Sequence, residues 1–190
     1  AFSPSSGIWW THNDSWARPK LHAFDILTGR FLGESNIEGA SASDWEDIAY
    51  HAGSLYIGDV GDNGEDRADI KIYVVSEPTP GSPSAGSAQR IVAQYPDRAH
   101  NCETVLVDTT GNIYLVTKET SGPHAFVFQV PRAGGTMTQV GVVPGFVGDL
   151  KLTGGAWSQD GSRVILLTYG DAYMFNASGA TVDWNTNTRV

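Results

Sequence analysis

The sequence predicts an all-β protein of the β-propeller class, and three observations support that prediction. Four segments share one shape, a short apolar run followed by small polar and acidic residues. An aromatic-centred strand follows each of them, and the aromatic residues Phe24, Tyr73, Phe126 and Tyr173 lie 49, 53 and 47 residues apart. That spacing is the period of a four-stranded blade. No segment of a dozen residues keeps its apolar positions at helical spacing.

Four blades of four strands cover the chain, which at 190 residues has the length of one domain. We place the blades at about 8–36, 45–95, 102–143 and 152–185, joined by turns that contain Gly and Asp. The Pro-, Gly- and Ser-rich segment 78–87 is expected to be a long surface loop. The first blade is incomplete, because only residues 1–7 precede its first apolar run. Since propellers have about four to eight blades, we expect an unusually closed four-bladed ring or part of a five- or six-bladed one.

Charge and composition exclude several classes of function. Asp plus Glu number 21 against 12 Lys plus Arg, and the formal net charge is −9. A basic nucleic-acid-binding face is therefore not expected. The chain contains no run of 18 apolar residues, so a membrane-spanning helix is not predicted. The single cysteine, Cys102, cannot form an intrachain disulfide.

The repeat brings acidic residues together at one mouth of the central channel. Inner strands begin on one face of a propeller, and the antiparallel second strands end on that same face. Carboxylates gathered there repel one another, and a hard divalent cation relieves the repulsion. Calcium takes about 6–8 oxygen ligands, whereas zinc favours closely spaced His and Cys, which this sequence lacks. The candidate calcium ligands are Glu46 and Glu103, which are best placed, and Asp47, Asn13, Asp14, Asp59, Asp62 and Asn63.

Each of these acids has a structural alternative, in which it accepts backbone N–H bonds in a turn. For catalysis, His12 or Asp59 is the candidate general base. For ligand binding, the candidates are Trp16, which could stack on a sugar ring, and the cations Lys118 and Arg67. The sequence contains no nucleophile elbow, phosphate-binding loop or dinucleotide-binding motif.

Three sequence motifs carry a resemblance to a known family. They are WTHNDS at 10–15, DWEDIA at 44–49 and LYIGDVGDN at 55–63. With Arg67, Ile72-Tyr73 and Glu77-Pro78, they resemble a family of secreted bacterial β-propeller proteins of unassigned function. The resemblance implies a secreted, extracellular or periplasmic location. It also implies a larger ring, because the family members continue into a further blade that begins with a Glu-Ala pair.

A looser resemblance extends to the calcium-dependent propellers of the gluconolactonase and senescence-marker group. In that group a Glu at the start of an inner strand binds the metal, and Glu46 matches that position. The Asn and Asp ligands of the group have only Asn101 and Asp149 as candidates here. Phytase-like propellers are a third relative by architecture, but their phosphate sites are rich in Lys and Arg, of which this mouth offers Lys118 and Arg67.

Two functions follow as hypotheses. The first is a module that binds a small molecule, glycan or protein at an acidic mouth which also binds calcium. The second is a metal-dependent hydrolase of a lactone, ester or phosphoester, in which the cation polarises a carbonyl and activates water. Because propellers support many unrelated functions, the fold does not decide between them. No base–nucleophile pair can be named from the sequence, which favours the binding module.

Overall fold

Four small β-sheets follow one another along the chain, and they are the blades of a β-propeller. They are seen in a computed structural model that describes residues 1–14 and 18–190, with the backbone alone of Asp149. The predicted all-β propeller class is therefore confirmed. Among the described residues, the helical content is one 3-10 turn at Gly148–Leu150. The candidate residue Trp16 lies outside the described residues.

The first two blades contain nine of the eighteen strands found in residues 1–14 and 18–190. Blade one contains β1 (Phe2–Ser3), β2 (Ile8–His12), β3 (Lys20–Asp25) and β4 (Phe31–Glu38). Blade two contains β5 (Trp45–His51), β6 (Ser54–Asp59), β7 (Ile70–Ser76) and β9 (Gln89–Gln94), and β8 (Ser84–Ser87) lies in the β7–β9 connection. The inner position of blade one, which the sequence suggested was missing, is occupied by the two residues of β1.

The last two blades follow the same order. Blade three contains β10 (Cys102–Val107), β11 (Ile113–Thr117), β12 (His124–Val130) and β14 (Thr138–Pro144), and β13 (Gly135–Thr136) lies in the β12–β14 connection. Blade four contains β15 (Leu152–Trp157), β16 (Arg163–Thr168), β17 (Ala172–Ser178) and β18 (Thr181–Arg189). Consecutive strands within each blade pair antiparallel, as expected for strands joined by tight turns.

The two extra strands cover the outer edges of neighbouring blades. The segment 78–87, predicted as a surface loop, contains β8, which pairs in parallel with β4 of blade one. In the same way β13, from blade three, pairs in parallel with β9 of blade two. An outer strand leaves a row of backbone groups unpaired, and a nearby loop can satisfy part of that row. The Pro-rich segment therefore joins two blades and is not only a surface connection.

Hydrophobic side chains between the blades form three clusters. Trp10 and Trp45 lie in the cluster between blades one and two. Cys102 and Phe128 lie in the cluster between blades two and three. Phe175 lies in the cluster between blades three and four. Among the described residues, no such cluster joins blade four to blade one.

No helix in the described part of the chain is long and apolar enough to cross a membrane. Cys102 is buried, and burial raises the pKa of its thiol to about 12. A thiol in that state is a packing residue rather than a nucleophile.

Candidate functional site

A cavity of about 680 Å³ opens where the inner strands begin. The starts of β5, β10 and β15 lie around it, together with the ends of β2 and β11. This is the geometry that the repeat predicted for one mouth of the channel. The candidate residues that line the cavity are His12, Asp14, Glu46, Asp47, Asn63, Glu103 and Lys118, and Thr153 lines it as well.

Three carboxylates form the acidic centre of this mouth. One carboxylate oxygen from each of Asp14, Asp44 and Glu46 lies within 4.8 Å of the other two. Asp14 follows β2, Asp44 immediately precedes β5, and Glu46 is the second residue of β5. Asp44 lies just before the strand, and Glu46 lies at the β-bulge between Trp45 and Asp47, so the two acids converge at an irregular start of β5. Three oxygen donors at this separation could hold a hard divalent cation.

The backbone around Asp44 holds this cluster in place. Its N–H donates to Asp59 Oδ1 at 3.0 Å, and its carbonyl accepts from the N–H groups of Val60 and Gly61, both at 3.1 Å. Gly61 packs directly against the carboxylates, because an added Cβ would overlap Asp44 Oδ2 and Glu46 Oε1. The close approach therefore requires the absence of a side chain at position 61.

Glu46 is a strongly perturbed acid of the mouth. Burial, then the neighbouring charges of Glu103, Asp44 and Asp14, raise its pKa to about 8, while Lys118 acts in the opposite direction. Nearby negative charges disfavour the ionised form of a carboxyl group, so the group favours binding a proton or a cation. Glu46 therefore marks the point at which the mouth most strongly favours a positive charge.

Glu103 occupies a different part of the mouth. It forms an ion pair with Lys118, whose Nζ also lies 2.9 Å from the hydroxyl of Tyr169 and 5.1 Å from the centre of its ring. Burial lowers the pKa of Lys118, but the hydrogen bonds to Glu103 and Tyr169 outweigh it and leave the pKa raised. Lys118 is thus a firmly charged ammonium paired with Glu103. Tyr169 lies next to this pair, and 73% of its own surface is exposed.

Asp47 lies beneath the mouth as a structural acceptor. Its Oδ2 accepts from the N–H of Val105 at 2.9 Å, and its Oδ1 accepts from the N–H of Ile48 at 2.9 Å. Burial raises the pKa of Asp47 to about 7, against the effect of these hydrogen bonds. The bond to Val105 joins the inner strands of blades two and three, so this acid helps to hold the mouth together.

His12 lies at the edge of the same cavity. Its Nδ1 lies 2.9 Å from the carbonyl oxygen of Asn13, and its ring meets Trp45 edge to face at 5.5 Å between centroids. Burial lowers the pKa of His12 below its ordinary value of 6.5, so the imidazole is neutral at pH 7. A neutral imidazole in a cavity can act as a base.

The acidic loop after β6 forms an internal network instead of opening into the mouth. Asp59 is fully buried, and its Oδ1 accepts from Arg67 Nη1 at 3.1 Å. Asp62 accepts from the backbone N–H of Arg67 at 2.8 Å, and Asn63 accepts from the side chain of Asn101 at 3.2 Å. Of the predicted loop ligands, Asn63 alone lines the cavity. Arg67 is held by Asp59 and by the carbonyl of Gly61 at 2.7 Å.

Asn13, which was predicted as a ligand, and the nearby acids Glu119 and Asp171 do not line the cavity. Asn13 contacts His12 through its carbonyl but does not line the cavity. Glu119 accepts from the fully buried His100 at 2.9 Å and from Arg98 at 3.0 Å. Asp171 pairs with Arg189. These acids belong to local ion pairs in loops.

Sequence reasoning missed two residues of the site. Asp44 precedes the predicted inner strand, so the predicted ligand set omits it, and the β-bulge at Glu46 that brings the two acids together has no signal in the sequence. Tyr169 lies in the turn after β16. Its neighbours are Thr, Gly and Asp, which are ordinary turn residues, so the local sequence does not mark Tyr169 as a binding residue. Its importance depends on the contact with Lys118, which is 51 residues away.

Comparison with known proteins supports the fold and goes no further. No family model matches the chain, and no curated protein matches it. Among solved structures, an auxiliary nutrient binding protein from Bacteroides ovatus is similar, with 16% identity, a TM-score of 0.58 and coverage of 93% of this chain and 37% of that one. Hydrazine synthase of Kuenenia stuttgartiensis is similar with 14% identity, a TM-score of 0.51 and coverage of 100% and 47%. This chain spans less than half the length of either.

Proposed function

We propose that this protein is a ligand-binding β-propeller that captures a small molecule or glycan at its acidic mouth, with a calcium ion bound there. The observation that carries the proposal is the convergence of Asp14, Asp44 and Glu46 within 4.8 Å. These three acids would be the protein ligands of the cation. The remaining coordination positions would be available to water and to oxygen atoms of the bound molecule, since calcium takes about 6–8 oxygens.

The electrostatics of the mouth favour a cation at this place. The raised pKa of Glu46, at about 8, reflects burial and the repulsion from Glu103 and the other two acids. A divalent ion would replace the proton and offset that repulsion. Sites with few protein ligands bind calcium with dissociation constants of about 10⁻⁴–10⁻³ M, the range of extracellular modules. Such an affinity fits a secreted or periplasmic protein, which we propose as its location.

The other side of the mouth would contact the ligand. Lys118 and Glu103 present a neutralised polar pair, and the exposed ring of Tyr169 lies next to it. An aromatic face beside polar groups suits a molecule that has both hydroxyls and an apolar surface. The similar fold of a protein described as nutrient-binding agrees with a binding role without identifying the ligand.

Calcium titration tests the proposal. With calcium at about 100 times its dissociation constant, binding adds about 2.7 kcal/mol to the free energy of unfolding. For a chain of this size that corresponds to a rise in Tm of about 5–10 °C. Glu46→Gln should abolish the rise, and the matched exposed acid variant Glu38→Gln should keep it. A Tm that does not change with calcium in the wild type contradicts the cation site.

The ligand is tested separately. A glycan array and a small-molecule panel are screened by calorimetry in the presence of calcium and again in the presence of a chelator. Binding that requires calcium is expected, because ligand oxygens would complete the coordination of the ion. Binding of the same strength in the chelator would assign the ligand to the Tyr169 side of the mouth alone.

A metal-dependent hydrolase of lactone or ester type is a second candidate, favoured by the position of His12. The neutral imidazole lines the same cavity as Asp14 and Glu46 and could accept a proton from water near the cation. Asp59 is a weaker candidate base, because its carboxylate is buried against Arg67. Turnover of lactones or nitrophenyl esters that needs calcium and is lost in His12→Ala would support this candidate. Equal turnover in His12→Ala would exclude His12 as the base.

A further inference from the structure

Arg67 holds the loop that packs behind the carboxylate cluster. Its Nη1 donates to Asp59 Oδ1 at 3.1 Å and to the carbonyl oxygen of Gly61 at 2.7 Å. The Arg67 side chain is 19% exposed, and the Asp59 side chain is fully buried. One guanidinium nitrogen therefore joins the end of β6 to the loop that follows it.

Both acceptors of Arg67 belong to residues that bind the backbone of Asp44. The N–H of Asp44 donates to Asp59 Oδ1 at 3.0 Å, the same oxygen that accepts from Arg67. The carbonyl of Asp44 accepts from the N–H of Gly61 at 3.1 Å. The hydrogen bonds among Arg67, Asp59, Asp44 and Gly61 thus form a closed ring, which we call the Asp44 frame.

Blade three anchors the Asp44 frame. The backbone N–H of Arg67 donates to Asp62 Oδ2 at 2.8 Å, and the N–H of Asp62 donates to Asn101 Oδ1 at 2.8 Å. Asp62 and Asn101 are both buried. Because Asn101 immediately precedes β10, the frame is tied to the inner strand that carries Glu103 on the other side of the mouth.

Stability alone gives a weak reason for the Asp59–Arg67 pair. Loss of hydration offsets most of the attraction in a buried ion pair. Among the described residues, Asp59 Oδ2 also has no hydrogen-bond partner, which adds to the cost of burial. Costs of this kind are expected where the arrangement serves a site, and the pair lies directly behind Asp44.

The frame opposes a movement that the cluster favours when it holds no cation. Asp14, Asp44 and Glu46 carry like charges within 4.8 Å, and their repulsion tends to move them apart. Hydrogen bonds at both the N–H and the carbonyl of Asp44 restrain its backbone against that movement. An acid that is ordered in advance loses less conformational freedom when it binds an ion.

We propose that Arg67 is a positioning residue for the cation site, which acts on Asp44 through Asp59 and Gly61. Arg67 itself does not line the cavity. The inference rests on the proposed function, because it assigns Arg67 a role in the cation site which that function uses. The Asp59–Arg67 pair is neutral as a whole, so it fixes Asp44 without adding net charge. Groups that hold metal ligands in this way affect metal affinity by about 10–100-fold.

Terbium(III) binding to the whole chain tests the proposal. Terbium prefers the same oxygen ligands as calcium, and Trp45, which lines the cavity, can sensitise its emission. Arg67→Lys keeps the charge but has a shorter side chain without the planar fork. We expect terbium affinity to fall by about tenfold or more. Emission lifetimes in H₂O and D₂O count the water ligands, and that count should rise by about one as water replaces Asp44.

Asp108→Asn is the matched control for a loss of stability. Asp108 is 1% exposed and accepts from the N–H of Asn112 and the hydroxyl of Tyr114. It follows the end of β10, which begins at the mouth, so this turn lies at the opposite face. Asp108→Asn should lower Tm but keep the terbium affinity and water count of the wild type. A merely structural role of Arg67 would give both variants the same result.

Hydrogen exchange of the Asp44 amide tests the frame without any metal. In chelator, the wild-type amide should be protected, because it donates to buried Asp59. Its exchange should be faster in Arg67→Lys. Asp59→Asn is a second variant, which removes the ion pair but keeps an oxygen that can accept from Asp44. Its Asp44 amide should also exchange faster than that of the wild type.

Three results would overturn the proposal, and they separate it from the proposed function. No terbium emission from the wild type removes the cation site, and the positioning role with it. A wild type that binds terbium, with an Arg67→Lys variant of equal affinity and equal water count, keeps the cation site and removes the positioning role. A wild-type Asp44 amide that exchanges as fast as an exposed amide shows that the frame does not hold Asp44.

Discussion

Glu103 forms its ion pair with Lys118, and this contact sets it apart from the carboxylates around Glu46. Both glutamates stand second in their inner strands, and the repeat alone gives them the same role. Lys118, which follows β11, makes the two glutamates different, because its positive charge lies beside Glu103. The mouth is thus divided into a carboxylate cluster from blades one and two and an ion pair from blade three, next to Tyr169 of blade four.

The stability of the protein should fall as pH rises above 6.5 when calcium is absent. The folded-state pKa values of Glu46 and Asp47, raised to about 8 and about 7, lie above the values of unfolded chains, 4.5 and 3.8. The native state therefore holds more protons than the unfolded state over this range, and its stability decreases until both groups are ionised. The buried ammonium of Ala1, whose pKa is lowered from 8.0, opposes part of this decrease up to about pH 8, and His12, whose pKa is lowered, has the opposite effect below pH 6.5.

Thermal melting in chelator, at a series of pH values above 6.5, measures this effect. Glu46→Gln should flatten the decrease, because the substituted side chain does not ionise. Asp47→Asn should flatten it separately. A wild-type Tm that rises steadily over the same range would contradict the sign of the shift.

Gly61→Ala should weaken calcium binding by at least about tenfold, which is about 1.4 kcal/mol. The added methyl group would push apart the carboxylates of Asp44 and Glu46, against which the glycine packs. Isothermal calorimetry measures the dissociation constant. Gly64→Ala is the matched control, since its Cβ would meet Asp66 at 3.5 Å, an ordinary contact. Unchanged affinity in Gly61→Ala would remove Asp44 and Glu46 from the cation site.

Arg67→Met should destabilise the fold by about 3–5 kcal/mol, the usual result of removing one partner from a buried ion pair. Asp59 is completely buried, and Arg67 donates both to it and to the carbonyl of Gly61. Urea unfolding gives the change in the free energy of unfolding. The double variant Asp59→Asn/Arg67→Met should recover part of the loss. Exposed Arg30→Met should cost little, and an equal loss there would show that the ion pair is not the cause.

Tyr169 should contribute to ligand binding through its ring more than through its hydroxyl. Tyr169→Phe removes the hydrogen bond to Lys118 but keeps the exposed face, so ligand affinity should fall by no more than a few fold. Tyr169→Ala should lose binding, because the face is removed. Calcium affinity should be unchanged in both variants. If Tyr169→Ala binds the ligand as the wild type does, the ring is not part of the site.

The repeat was visible in the sequence because blade geometry depends on local pattern. Aromatic residues spaced by one blade, alternating apolar residues and Gly-containing hairpins are all short-range signals. The hairpin between β5 and β6 shows this directly, since Ala52 and Gly53 both have positive φ, at 46° and 79°, as a tight two-residue hairpin requires. The same reasoning predicted one mouth at which the inner strands begin.

Long-range contacts explain what the sequence left open. The strand β8 lies inside the Pro-rich segment because it pairs in parallel with the edge strand β4. No local sequence pattern predicts such a pairing. Asp59 and Asp62 looked like loop ligands, but the backbone turns them towards Arg67. Whether an acid forms a local ion pair or lines the cavity depends on contacts between segments that are distant in the sequence.

The sequence by itself determined the propeller class, the positions of most strands and the face on which the acids gather, because strand alternation and blade period follow from backbone geometry alone. The tertiary structure decided which acids meet. It joined Asp14 and Asp44 to Glu46 and gave Glu103 to Lys118. Distances of a few ångströms between blades decide which charged groups pair. The interaction energy of two charges depends on their separation and on how much water lies between them.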